Sequence, residues 1–237
     1  MFRPLPILTA ATVIALAILI GLGTWQLQRR AEKHALLDQI ETRSTAAPAP
    51  VEILFATGDY AAFRPATADG TFDHAREAYV YAPRADGGPT RQGFKVITPL
   101  HLLSGGTILV DRGWVPEEKK NPATRQEGQF EGEIEVTGTL RPPAAPGTFT
   151  PPPDLATRTF YLRDSKAIAA AVGVTLLRPL ILEATSAVDG GPEPRAGDIN
   201  IPDNHLAYAI TWYSLALVLF VIYLRYHQVR GRLKLTR

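Results

Sequence analysis

The sequence predicts a membrane protein with two transmembrane α-helices, one N-terminal and one C-terminal. They flank a mainly antiparallel β domain of α+β type, a small barrel or sandwich. Three observations carry that prediction: two long uncharged apolar stretches near the ends of the 237-residue chain, a sorting of charge between ends and centre, and a series of short strand-like runs divided by turn residues. The formal charge of +2, from 25 Lys+Arg and 23 Asp+Glu, hides the sorting. Every acidic residue lies between Glu32 and Asp203, whereas the flanks carry only Arg3, Arg225, Arg230, Arg232, Lys234 and Arg237. Nineteen basic groups therefore meet 23 acidic ones in the centre, which carries −4 against +6 at the ends. A soluble globular chain has little reason to sort charge this way. With 46% apolar residues and no cysteine, the composition excludes collagen-like, disordered, disulfide-stapled and cysteine-ligated zinc proteins.

The first helix is expected over residues 5–27, inside the uncharged stretch from Pro4 to Gln28, long enough to cross a hydrocarbon core of about 30 Å. Met1-Phe2-Arg3 resembles the basic start of a signal peptide, but Gly21-Leu22-Gly23-Thr24-Trp25-Gln26 offers no small-x-small cleavage site, so an uncleaved anchor is the better reading. The absence of a transit peptide ahead of it points to a bacterial inner membrane. The second helix is expected over 205–225, where Leu206 to Leu224 carries no charge and includes Tyr208, Trp212, Tyr213, Phe220 and Tyr223. The basic tail, 226–237, continues from Arg225 and places both termini in the cytoplasm and residues 28–204 in the periplasm. Arg29, Arg30, Lys33 and Arg43, just after the first helix, argue the other way, although Glu32, Asp38 and Glu41 dilute them.

Within the centre, Leu36, Leu37 and Ile40 carry the first helix beyond the membrane until Ala46-Ala47-Pro48-Ala49-Pro50 ends it. Strands are expected at Phe63–Phe72, Glu77–Ala82, Phe94–Leu100, Thr107–Asp111 and Glu133–Leu140. The turns between them are Asp69-Gly70, Asp86-Gly87-Gly88-Pro89, Ser104-Gly105-Gly106 and Glu131-Gly132. A proline-rich connector follows over 141–153. Beyond it come a strand at Arg158–Leu162, a short helix from the N-cap Asp164 through Ala171 and closed by Gly173, and a last strand at Pro179–Glu183.

Chemistry motifs are scarce. There is no P-loop, dinucleotide glycine fingerprint, His-Glu-x-x-His or nucleophile elbow, and no sign of nucleic-acid binding. Glu117-Glu118-Lys119-Lys120 reads as a solvated loop, and His34, His74, His101 and His227 as surface or locally bonded histidines. His205 differs because it opens the second helix with Tyr208, Trp212 and Leu215 on its stripe. That placement suits axial ligation of a haem in an apolar slot, but the residues alone favour an interfacial residue that helps to cap the helix beside belt aromatics.

Three blocks carry a resemblance: Leu22-Gly23-Thr24-Trp25-Gln26-Leu27-Gln28-Arg29, Ile108-Leu109-Val110-Asp111-Arg112-Gly113-Trp114-Val115-Pro116, and Asn204-His205-Leu206-Ala207-Tyr208-Ala209-Ile210-Thr211-Trp212-Tyr213. In order, and with the two-helix architecture, they resemble the signature blocks of the Surfeit-locus-one family, assembly factors of cytochrome c oxidase. The resemblance implies a non-enzymatic helper in building the haem a sites of the oxidase's largest subunit, with a domain on the periplasmic side. Bacterial members of the family bind haem a, and the histidine implicated there matches His205. On that footing haem a lies against the outer ends of both helices, with His205 as the axial iron ligand, Trp25, Tyr208 and Trp212 as walls, and Arg29 and Arg30 either pairing with propionates or acting as snorkelling anchors. Gly23, Gln26, Arg112, Gly113, Trp114 and Asn204 are expected in structural or docking roles, with Arg112-Gly113-Trp114 fixing a turn after a central strand. The partners implied are that subunit, haem a synthesis enzymes and membrane lipid. The sequence departs from the family pattern at Asp203, where a second asparagine is frequent, and at Glu32, where a tryptophan often precedes the lysine. A haem-modifying enzyme is the rival with the thinnest equipment; a scaffold that stabilises an oxidase intermediate without touching haem is the other.

Overall fold

A computed structural model describes residues 4–58, 62–85, 88–194 and 203–232. Asp86-Gly87 of one expected turn, Arg3, and residues 233–237 of the basic tail with Lys234 and Arg237 lie outside the described residues. The chain divides into two compact units, Met1–Gln39 with Asn200–Arg237, and Ile40–Ile199.

The first unit holds most of α1 (Pro6–Ser44) and all of α4 (His205–Val229). Their most apolar stretches have mean hydropathies of 2.3 and 1.9, and only 11% of each is buried. Ile14, Ile18, Leu217 and Ile222 are all more than half exposed. A soluble protein's core helix would cover such side chains, whereas hydrocarbon accepts them, so both helices are of membrane-spanning character. They run antiparallel: the Thr9 and Tyr223 hydroxyls meet at 2.7 Å, and those of Thr24 and Tyr213 at 3.1 Å. Small residues let the backbones approach, with Ala209, Ala216 and Thr12 buried and Gly23 against the Tyr213 ring. His227 is a correction to the surface reading. It is fully buried, with Nδ1 on the Tyr223 carbonyl oxygen at 2.9 Å, Nε2 accepting from the Leu5 amide at 3.4 Å and the Tyr223 ring 4.3 Å away. The antiparallel neighbour covers a position that the sequence alone leaves among basic residues.

The second unit opens with two elements that the sequence reading lacks, β1 (Ala49–Pro50) and α2 (Val51–Thr57), the latter closed by Gly58 at φ +80°. Seven residues give too short a period to read, but Val51 and Leu54 are buried on one face. The expected strands follow as β2 (Pro65–Phe72), β3 (Ala78–Tyr81), β4 (Gly93–Leu102), β5 (Thr107–Pro116), β6 (Glu133–Arg141), β7 (Thr159–Phe160) and β8 (Ile181–Ala184). Helix α3 (Ser165–Val172) is capped as its sequence predicts: the Asp164 carboxylate accepts from the amides of Lys166 and Ala167, and Gly173 closes the end at φ +73°.

Five strands form a ring, β2–β4–β5–β8–β6 and back to β2. The β5–β8 contact is parallel and the rest of the ring is antiparallel. Numbered along the chain, the ring reads 1-2-3-5-4, the connection order of the OB-type Greek-key barrel. At Gly70 a Cβ would stand 2.3 Å from the His101 carbonyl oxygen, so glycine is what lets β2 close on β4. The sheet is therefore more mixed than expected. Parallel contacts also join β1 to β2, across the helical crossover α2, and β3 to β7, which follows the proline-rich connector. Alternating residues split two cores across the wall. Ala66, Ala68, Leu100, Ile108, Val110, Val136, Leu140 and Leu182 fill one side. Ile97, Leu109 and Ile181 pack with Ile168 and Val172 of α3 on the other.

Candidate functional site

Two places concentrate polar chemistry, one in each unit. In the helical unit His205 is the first residue of α4 and is part-buried. Its Nδ1 lies 2.7 Å from Oε1 of Gln26 on α1, and Nε2 has no hydrogen bond among the described residues. The Asp203 carboxylate accepts the His205 amide at 3.1 Å and meets the His34 Nε2 at 2.9 Å and the Arg30 Nε at 3.8 Å. Asn204, at the N-cap, makes no side-chain cap, so the acid at 203 caps in its place. That amide bond holds the Asp203 carboxyl below the usual carboxylate range, outweighing its desolvation, with help from His34 and nearby Lys33. Arg29 pairs with Glu32 at 2.9 Å and stands 5.7 Å over the Trp25 ring. Trp25 and Tyr208 are about half exposed, and Trp212 is part-buried. The expected residues Gln26 and His205 are thus brought into contact, and Asp203 and His34 join them. An acid two residues ahead of an apolar helix is the signal for Asp203; nothing in the sequence signals His34 as its partner.

The barrel's polar chemistry centres on adjacent residues of β5 that point to opposite faces. Asp111, fully buried, accepts from Lys95 Nζ at 2.8 Å; Lys95 also reaches Glu183 at 2.7 Å, and Glu183 accepts from Arg141. Burial pulls the Lys95 ammonium down, but the two carboxylates more than offset it and hold it above its ordinary value. On the other face Arg112 donates to Glu77 at 3.0 Å and to the Gly128 carbonyl, and lies 4.9 Å over the Phe72 ring. Arg125 closes on the same Glu77 carboxylate with both terminal nitrogens. Burial pushes the Glu77 carboxyl up, but hydrogen bonds from His74 and Arg125 and the two guanidinium charges bring it down to about 2. Tyr79, buried beside that carboxylate, is pushed up to about 12.

Arg112-Gly113-Trp114 makes no turn. Strand β5 continues to Pro116, and the extra residue is absorbed as a bulge opposite Lys95–Ile97, where Gly113 takes φ +120°. Trp114 exchanges both backbone bonds with Glu193, donates its indole N–H to the Ala82 carbonyl at 2.8 Å, and lies 5.3 Å from the guanidinium carbons of both Arg84 and Arg91. Glu117 and Glu118 are exposed as expected, but Lys120 turns inward over Phe94 at 4.3 Å and donates to the Thr159 hydroxyl. Among the described residues no three His, Cys, Asp or Glu are gathered to hold a metal ion.

The fold and these sites define a membrane protein of two apolar helices and a closed β barrel, with one histidine presented at the polar end of the helix pair. The chain belongs to the SURF1 family, whose profile matches residues 13–217. It is 36% identical over 212 residues to Surfeit locus protein 1 of Homo sapiens, covering 83% of this chain and 69% of that one. It is 35% identical to Surfeit locus protein 1 of Takifugu rubripes, covering 84% and 88%, and 31% identical to Surfeit locus protein 1 of Arabidopsis thaliana, covering 88% and 75%.

Proposed function

We propose that this protein assists assembly of cytochrome c oxidase by binding haem a, without catalysis of its own, at the His205 end of its helix pair and serving the largest oxidase subunit. The observation that supports the reading is His205, an imidazole at the start of an apolar helix with one nitrogen bonded and the other without a partner among the described residues. His205 would hold a haem iron through that nitrogen, and Trp25, Tyr208 and Trp212 would supply the apolar walls that the macrocycle needs. Bound haem supplies the redox centre of the oxidase; the chain's own residues hold it. The exposed Arg29–Glu32 pair is worth about 0–1 kcal/mol and the Arg30–Asp203 contact is long and solvent-screened, so both guanidiniums are available to propionates at small cost.

Protein purified from cells that make haem a is expected to carry the pigment, and His205→Ala to lose most of it. Undiminished haem in the variant would refute ligation by His205, and a colourless wild type would favour the scaffold reading. In the proposed topology the termini are cytoplasmic and the barrel faces the periplasm of a bacterial inner membrane, a placement supported by Arg225 in the last turns of α4 and by Arg230 and Arg232 after it. Alkaline phosphatase fused within residues 50–200 is expected to be active; activity only from C-terminal fusions would reverse the topology. Crosslinking from residues beside His205 to the nascent oxidase subunit tests the partner.

A further inference from the structure

We infer that Gln26 is a positioning residue that holds the His205 imidazole in its Nδ1–H tautomer, leaving the Nε2 lone pair for a metal; the inference rests on the haem reading above for the identity of that metal. The contact joins residues far apart in the chain at 2.7 Å, a full-strength hydrogen bond between α1 and α4. The atom of Gln26 that faces the ring is the amide oxygen, which only accepts, so the proton must be on Nδ1. A neutral imidazole has one N–H, and placing it on Nδ1 deprotonates Nε2. Nε2 is also the nitrogen without a partner among the described residues, so the bonded nitrogen and the presented one are distinct.

The same bond fixes the ring plane. His205 is the first residue of α4, and an imidazole's orientation is set by two side-chain torsions. Gln26 removes that freedom from across the interface, while Asp203 secures the His205 backbone amide. Backbone and ring are thus held by separate groups. An acceptor on the far nitrogen of a ligating histidine also raises its basicity, which strengthens the metal bond and stabilises the oxidised metal. Among the described residues, His205 is the hydrogen-bond partner of the Gln26 side-chain oxygen.

The test uses the full chain in detergent with ¹⁵N-labelled histidine, at a pH above the ordinary histidine range so that the rings are neutral. His205 is assigned by its loss in His205→Ala. The wild type is expected to show the Nδ1–H pattern, Gln26→Leu to shift toward Nε2–H, and Gln26→Glu, which keeps an acceptor, to retain Nδ1–H. In haem-loaded protein Gln26→Leu is expected to bind roughly 10–100-fold more weakly. Its iron–histidine stretching band should fall and its reduction potential rise, with Gln26→Glu moving both the opposite way. A purely structural role would lower haem content without moving band or potential in opposite senses. An Nε2–H pattern in the wild type, or identical patterns in wild type and Gln26→Leu, overturns the role of Gln26 and leaves the haem reading untouched. An Nδ1–H pattern in a protein that takes up no haem upholds the tautomer and overturns the ligation.

Discussion

Glu77→Gln is expected to destabilise the barrel by about 3–5 kcal/mol, the cost of leaving buried cations without their counter-charge. Glu77, Arg112 and Arg125 are each no more than 4% exposed, and one carboxylate serves both guanidiniums. Against a typical domain stability of about 5–15 kcal/mol, that loss brings the barrel near its unfolding threshold. Protease resistance and thermal denaturation of the detergent-solubilised protein measure it. A second arm uses pH. The folded carboxyl is at about 2 and its ordinary value is 4.5, so its contribution is complete above 4.5 and is lost as pH falls through 2. The gap corresponds to about 3 kcal/mol. Wild-type stability should therefore fall across that window, and Glu77→Gln should remove this part of the slope. A variant within 1 kcal/mol of wild type with an unchanged acid limb would show that the cluster is idle.

Gly113→Ala is expected to cost about 3–5 kcal/mol for a different reason. At φ +120° any side chain is strained by about 1–3 kcal/mol. The new Cβ would also stand 2.2 Å from the Glu193 carbonyl oxygen, so the Trp114–Glu193 pair of backbone bonds must open. Each of those bonds is worth about 1 kcal/mol. Gly105→Ala separates the two effects, since φ is +94° there but nothing lies within 4 Å of the added Cβ. It should show the backbone cost alone. Equal losses at both positions would mean that the Glu193 contact contributes nothing.

Periodicity and punctuation located the two apolar helices, the long strands and α3 with both its caps, because each depends on neighbours a few residues away. Asp164 and Gly173 cap locally, and Glu133–Thr137 alternates because one face is wet. Short elements stabilised from outside were not legible: α2 holds together because Val51 and Leu54 meet the barrel core. Nothing local in the sequence signals that the Asp111-Arg112 pair is buried. It is buried because β5 is central and each face brings counter-ions from distant segments, Lys95 on one and Glu77 on the other. Arg112-Gly113-Trp114 reads as a turn for the same reason. Glycine permits either a turn or a bulge, and only the Glu193 backbone decides between them.

At the candidate site the sequence singled out His205 by its place at the head of an apolar helix, and the two uncharged stretches with the sorted charge marked both helices as membrane-spanning in character. Which nitrogen of that histidine is presented was decided by the tertiary structure. The answer depends on an amide oxygen from the opposite helix, and a hydrogen bond between residues 26 and 205 leaves no local trace in composition, period or spacing.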